Sequence, residues 1–240
     1  NYTESLARFF NGVNLDKLYV ACRNDLPQTD LSYCFYGSTF SNPSRLDNVL
    51  NHIKSVSSME YCFYKTSIDS TEILNNINIQ SGCSLAYCFG FCPNITTLSD
   101  VTISASASSV EGLFQGSGLT TVTNFEVLCQ NVRGLFKDCG KLMTVTNFTA
   151  PNTTSYKSLC EGCTSLVNPP ITVIPDNILD ISYMYKNCPS MVSIDGMVFN
   201  KNLTAWEGFI ADSPNIVSAN SITIKGSYYQ TFFNEWTSVK

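Results

Sequence analysis

The chain predicts an α/β solenoid with one short helix and one short strand per coil, the strands stacked as a parallel sheet, in about eight repeats with a cap at either end. Three observations lead there. An apolar residue opens a similar phrase at Leu31, Met59, Leu85, Val110, Val132, Tyr156, Ile181 and Trp206, at intervals of 22 to 28 residues. With that residue as place 1, place 4 (Cys34, Cys62, Cys88, Leu113, Leu135, Leu159, Met184, Phe209) and place 5 (Phe35, Phe63, Phe89, Phe114, Phe136, Cys160, Tyr185, Ile210) are also apolar. Place 8 is always small: Ser38, Thr66, Cys92, Ser117, Cys139, Cys163, Cys188, Ser213. Soon after place 8 comes a segment rich in Thr, Val and Ile, as at 94–98, 119–125, 142–148, 190–194 and 215–224.

Residues 1–30 read as an N-terminal cap and opening coil. Thr3 precedes an amphipathic run with Leu6, Phe9 and Phe10 that stops at Gly12, which predicts a short helix, and 15–25 reads as an opening strand. The repeats occupy 31–225. Places 1, 4, 5 and 8 fall on one stripe of a helix, so each unit is expected to open with about two helical turns facing inward. The Thr/Val/Ile segments partly alternate, as half-buried strands do. A unit of this length leaves no room for a hairpin, so each strand is expected to pair in parallel with its copy in the next coil. Over 226–240, Tyr228, Tyr229, Phe232, Phe233 and Trp236 share one helical face. They read as a C-terminal aromatic cap over the open end of the core, with docking on a neighbouring domain as the rival reading.

The phrase aromatic-x-x-Cys-x-x-apolar, as in Phe136, Cys139 and Leu142 or Tyr185, Cys188 and Met191, resembles the BspA-like leucine-rich repeats. It is closer still to the roughly 26-residue repeat of bacterial surface proteins, found in lipoproteins, adhesins and many bacteriophage-encoded proteins. The likeness covers residues 31–224. It is weakest in the first two units, where the apolar residue after place 8 (Phe40, Ile68) stands one position early. What the resemblance implies is a leucine-rich-repeat coil and a binding scaffold displayed on a bacterial surface or a phage virion; it does not specify a ligand.

Charged residues make up 14% of the chain and its net charge is −5, with Ser, Thr and Asn filling the place of charge. A weakly charged, hydroxyl- and amide-rich surface suits a host or cell-surface glycan or neutral protein. It does not suit nucleic acid, which needs a basic stripe, and Lys and Arg are scattered singly along this sequence. No apolar run of about 18 residues is present, so no transmembrane segment is expected. The chain opens on Asn1, which is expected of a processed chain or a piece of a longer extracellular protein.

Of eleven cysteines, seven occupy two columns: Cys34, Cys62 and Cys88 at place 4, and Cys92, Cys139, Cys163 and Cys188 at place 8. They are expected to be buried free thiols that fit because they are small and apolar. Disulfides between neighbouring coils are sterically allowed, but other units replace the same cysteine by Ser or Thr. Cys160 and Cys163 form the one two-spaced pair and His52 is the one histidine, so no metal or cofactor is expected. His52 has no nucleophile motif around it, and Asp100, Glu111, Asp138, Glu161, Asp195 and Glu207 fall on different coils. Gly116 and Gly118 lead into a strand and not a helix. Catalysis is therefore not expected.

Strand alternation leaves the exposed face of the sheet as the candidate binding surface. An inward Val145 turns Thr144 and Thr146 outward, and the same logic gives Thr97 and Ser99, Thr121 and Thr123, Ser193 and Asp195, and Ser218 and Asn220. Stacked coils would align them as one hydroxyl-rich strip. The expected function is non-catalytic recognition or adhesion through that strip. The alternative is a structural spacer or assembly subunit that contacts neighbouring virion or surface-protein domains.

Overall fold

The computed structural model describes residues 4–17, 25–26, 29–42, 46 and 50–226. Within them the chain winds as a parallel β-solenoid. Strands β1 (Glu4–Ser5), β2 (Thr29–Asp30), β3 (Ser55–Ser58) and β4 (Asn78–Ile79) pair in that order. β5 (Cys83–Ser84) pairs with β7 (Ala107–Ser109), and β10 (Val198–Phe199) with β11 (Thr223–Ile224). The longest sheet joins β6 (Thr97–Ile103), β8 (Thr121–Val127) and β9 (Thr144–Thr149). Every pairing of these strands is parallel.

The segments expected to be helical are not helices. Places 1 to 8 form consecutive tight turns, and the α-helix among the described residues is the four-residue α1 (Ile73–Asn76). The reason lies in where the backbone N–H groups go. In the coil that starts at Tyr156, the N–H groups of places 1, 3, 5 and 7 (Tyr156, Ser158, Cys160, Gly162) donate to carbonyls of the next coil (Asp180, Ser182, Met184, Lys186) at 2.8–3.0 Å. Those of places 4, 6 and 8 donate three residues back within the coil, as Leu159 does to Tyr156. In the coils starting at Leu6 through Ile181 the N–H of place 2 is taken by the side chain just before place 1. Lys157 donates to Ser155 Oγ at 3.1 Å, Ser182 to Asp180 Oδ1 at 2.8 Å, Arg133 to Asn131 Oδ1 at 3.1 Å and Glu111 to Ser109 Oγ at 3.0 Å. Every donor has an acceptor, and half of them lie in the neighbouring coil, which a helix would forbid.

Such a chain of turns needs left-handed residues at places 3 and 7. Positive φ recurs at that four-residue spacing: Arg8/Gly12, Tyr33/Gly37, Tyr61/Lys65, Tyr87/Phe91, Gly112/Gly116, Gly134/Asp138, Ser158/Gly162, Tyr183/Asn187 and Gly208/Asp212. The first pair belongs to the stretch expected to be a capping helix. It is instead another copy starting at Leu6, whose N–H bonds Asp30 while Arg8, Phe10 and Gly12 bond Ser32, Cys34 and Tyr36. Of the opening strand expected at 15–25, Leu15–Lys17 forms a 3-10 turn, and 18–24 lie outside the described residues. The aromatic positions Tyr228 to Trp236 also lie outside them.

The expected inward columns are buried despite the change of backbone. Place 1 is buried from Leu31 to Ile181, and places 4, 5 and 8 line the same interior. At place 5 the rings of Phe10, Phe35, Phe63, Phe89, Phe114 and Phe136 stack from coil to coil, with centroids 5.3 to 6.3 Å apart and planes within 12°. Offset stacks of this kind add to the area they bury, which makes this column the spine of the molecule. The ten described cysteines are free and buried.

Candidate functional site

The β6–β8–β9 sheet carries most of the expected surface. Thr97, Thr121 and Thr144 are register partners, as are Ser99, Thr123 and Thr146, while Leu98, Val122 and Val145 between them point into the core. The six hydroxyl residues form two parallel rows, exposed or half-exposed, and their side chains have no hydrogen-bond partner among the described residues. Beside them each strand turns a corner at a left-handed residue: Asp100, Asn124 and Asn147, with φ of 56°, 50° and 54°. Asn147 Nδ2 donates to Asn124 Oδ1, and Asn124 Nδ2 to Asp100 Oδ1, both at 2.8 Å. This amide ladder fixes the edge of the face.

The remaining expected residues do not continue the rows. Pro169 and Pro170 fall in the coil between, and proline has no N–H to give to a ladder. Beyond them Ser193 and Ser218 form an isolated bridge. Ser218 Oγ lies 2.7–2.8 Å from both Asp195 carboxylate oxygens, and the backbone N–H of Asn220 also donates to Asp195. The Ser218 hydroxyl and the Asn220 N–H hold the Asp195 carboxyl below its usual range. The single strip is thus two patches, an open hydroxyl face and a self-satisfied cluster.

Sequence inspection misses the turn face altogether. At place 3, Tyr33, Tyr61 and Tyr87 stack at 4.8 Å, and at place 6 Tyr36 and Tyr64 stack at 5.2 Å. The Tyr87 ring lies over Gly112, where a Cβ would come within 2.3 Å of it, and Tyr183 lies over Gly208 in the same way at 2.7 Å. Between Tyr87 and Tyr183, place 3 is held by Gly112, Gly134 and Ser158. The missing side chains leave a surface cleft, whose two overlapping lobes are about 190 Å³ and 310 Å³. Around it stand Arg133 and Lys157 at place 2 and Lys137 and Lys186 at place 6. Cations that look scattered along the chain are neighbours because the coils are in register.

Acidic groups balance part of that charge. Lys137 Nζ is 3.0 Å from Glu161 and Lys186 Nζ is 3.6 Å from Asp212. Desolvation opposes ionisation of Glu161, but its hydrogen bonds with Ser158 and Lys137 prevail and its pKa is lowered. Tyr87 donates to Glu111 at 3.1 Å, and burial together with that carboxylate pushes its hydroxyl up to about 12. Neither Arg133 nor Lys157 has an ion-pair partner among the described residues. No helix among the described residues is long and apolar enough to cross a membrane. Comparison of the chain with protein-family models, with curated proteins and with solved structures gives no significant match.

Proposed function

We propose that the protein is a non-catalytic recognition module that binds a surface glycan or protein through the hydroxyl face of the β6–β8–β9 sheet. The observation that carries this reading is the pair of register-matched rows, Thr97, Thr121, Thr144 and Ser99, Thr123, Thr146, whose hydroxyls have no hydrogen-bond partner among the described residues. Each offers a donor and acceptors on a rigid scaffold, and the short side chains let a ligand approach the backbone closely. A repeat scaffold of the bacterial or phage surface type, of the leucine-rich-repeat kind the sequence resembles, would display such a face outside the cell. A second reading, an assembly subunit, is favoured by the exposed apolar column Met143, Val167, Val192 and Val217, which recurs at one position of successive coils.

The test is a glycan array and a whole-cell binding assay with the parent chain and a Thr144→Arg/Thr146→Arg variant. The double variant is expected to lose binding while melting within about 0.5 kcal/mol of the parent. Binding that survives both arginines, but is abolished by Val192→Glu, would move the assignment to the apolar column.

A further inference from the structure

We propose that the turn-face cleft between Tyr87 and Tyr183 binds an anionic saccharide, one bearing carboxylate or sulfate groups, with Arg133 and Lys157 reading the charge and Tyr183 stacking on the sugar. This site lies apart from the sheet face and does not rest on that reading. The chain as a whole is acidic, at −5, yet four of its fourteen Lys and Arg residues surround this one cleft. Lys137 and Lys186 are engaged with Glu161 and Asp212, which leaves Arg133 and Lys157 without a carboxylate partner among the described residues, Lys157 lying over the Tyr183 ring. They occupy place 2 of adjacent coils, so their backbones stand roughly 5 Å apart, where like charges disfavour each other until an anion sits between them.

The aromatic wall narrows the class of anion. One face of Tyr183 is packed on Gly208, and Lys157 Nζ and Lys186 Nζ lie 5.8 and 5.5 Å from the ring centroid. A sugar ring laid on Tyr183 would put an equatorial carboxylate or sulfate beside those ammonium groups. A cation pair alone does not select a ring, and a ring alone does not select an acid; together they select an acidic sugar. The Tyr87 ring covers Gly112, so the floor is open over the two adjacent coils of Gly134 and Ser158, and the ligand is a short oligosaccharide running along the solenoid axis. Glu111 and Glu161, which line the cleft, disfavour a polyphosphate chain, which would need an unbroken basic stripe.

The floor supplies an unusually direct test. Gly134 has φ of 59°, and a Cβ built there meets Lys137 atoms no closer than 3.6 Å, an ordinary contact. Tyrosine already occupies this place, with φ of 53° to 59°, at Tyr33, Tyr61, Tyr87 and Tyr183. Gly134→Tyr therefore fills the cleft without removing any of its cations. Titration calorimetry with a uronate oligosaccharide, a sulfated oligosaccharide and a neutral glucan is run on the full chain at low and moderate salt. At least one anionic sugar is expected to bind, more weakly as salt rises, with the glucan inert; which of the two binds tells carboxylate from sulfate. Gly134→Tyr and Arg133→Ala/Lys157→Ala are each expected to weaken binding at least about tenfold. Thr144→Arg/Thr146→Arg is expected to leave it unchanged, which separates this site from the sheet face. The assignment is overturned by no binding of either anionic sugar, by equal binding of glucan, by equal competition from a polyglutamate peptide, or by a folded Gly134→Tyr that binds like the parent. If Gly134→Tyr does not fold, the alanine pair decides alone.

Discussion

At place 8 the side chain must be small and must also carry a donor. Cys92, Cys139, Cys163 and Cys188 each direct Sγ at the place 5 carbonyl of the preceding coil (Phe63, Phe114, Phe136 and Cys160) at 2.9 to 3.3 Å, and Ser213 does the same to Tyr185 at 2.9 Å. This explains why Cys, Ser and Thr interchange there and Ala and Val do not occur. Cys163→Val, similar in size but without a donor, is expected to cost about 1 kcal/mol in chemical denaturation, and Cys163→Ser less. Cys163→Asp, which buries an unpaired carboxylate, is expected to cost about 3 kcal/mol or more. Burial raises the Cys34, Cys92 and Cys188 thiols to about 12. From about pH 9 the unfolded chain gives up thiol protons that the folded chain retains, so stability is full below that pH and falls steadily as pH rises toward 12. Denaturation midpoints across that range check the sign, and thiol reagents should find these cysteines only after unfolding.

Within a single coil, glycine and the αL places decide the backbone. Lys65 sits at φ of 58°, a conformation that costs an L-residue about 1 kcal/mol, so Lys65→Gly is expected to be neutral to stabilising by up to that amount. Gly118→Ala is the opposite case, because its Cβ would lie 1.9 Å from the Pro93 carbonyl oxygen and the backbone of the neighbouring coil would have to move. A loss of about 3 kcal/mol in thermal or urea unfolding is expected. The same places explain what the sequence revealed and what it concealed. Places 1, 4, 5 and 8 repeat with a period of four, and over eight residues that coincides with the stripe of a 3.6-residue helix. The core was therefore legible and its backbone was not. The distinguishing marks were present: Gly37, Gly112, Gly116, Gly134, Gly162 and Gly208, with Asp138, Asn187 and Asp212, fall at place 3 or 7, and Ser, Asp or Asn stands before place 1 in most units. At Leu6 the pairing of Thr3 with Gly12 imitated the two caps of a helix. The outward threonines followed from alternation alone. The cleft did not, since Arg133, Lys157 and Lys186 become neighbours only when units are aligned by place.

For the whole molecule, each coil depends on the two beside it. Removing residues 156–180, one complete coil, would set Ile181 against Val132 with every inward column preserved. That variant is expected to fold cooperatively with a urea m-value lower by about a tenth, whereas removing 156–168, half a coil, should abolish the transition. Circular dichroism and urea titration distinguish the outcomes. The hydrogen bonds between turn segments impose a further constraint, because they all run the same way: N–H groups of one coil point to carbonyls of the coil that follows it in sequence. The stack therefore has polarity, like a column of identical tiles with pegs on one side and sockets on the other. Along the turn face the acceptors are the carbonyls of the residue before place 1 and of places 2, 4 and 6, so each coil presents donors to the coil after it and acceptors to the coil before it. Along this face a second stack of such turns could be joined in one order only, because two like ends would meet there as donor against donor or acceptor against acceptor, whereas the strand segments also donate backwards, as Gly118 does to Cys92 and Val217 to Val192.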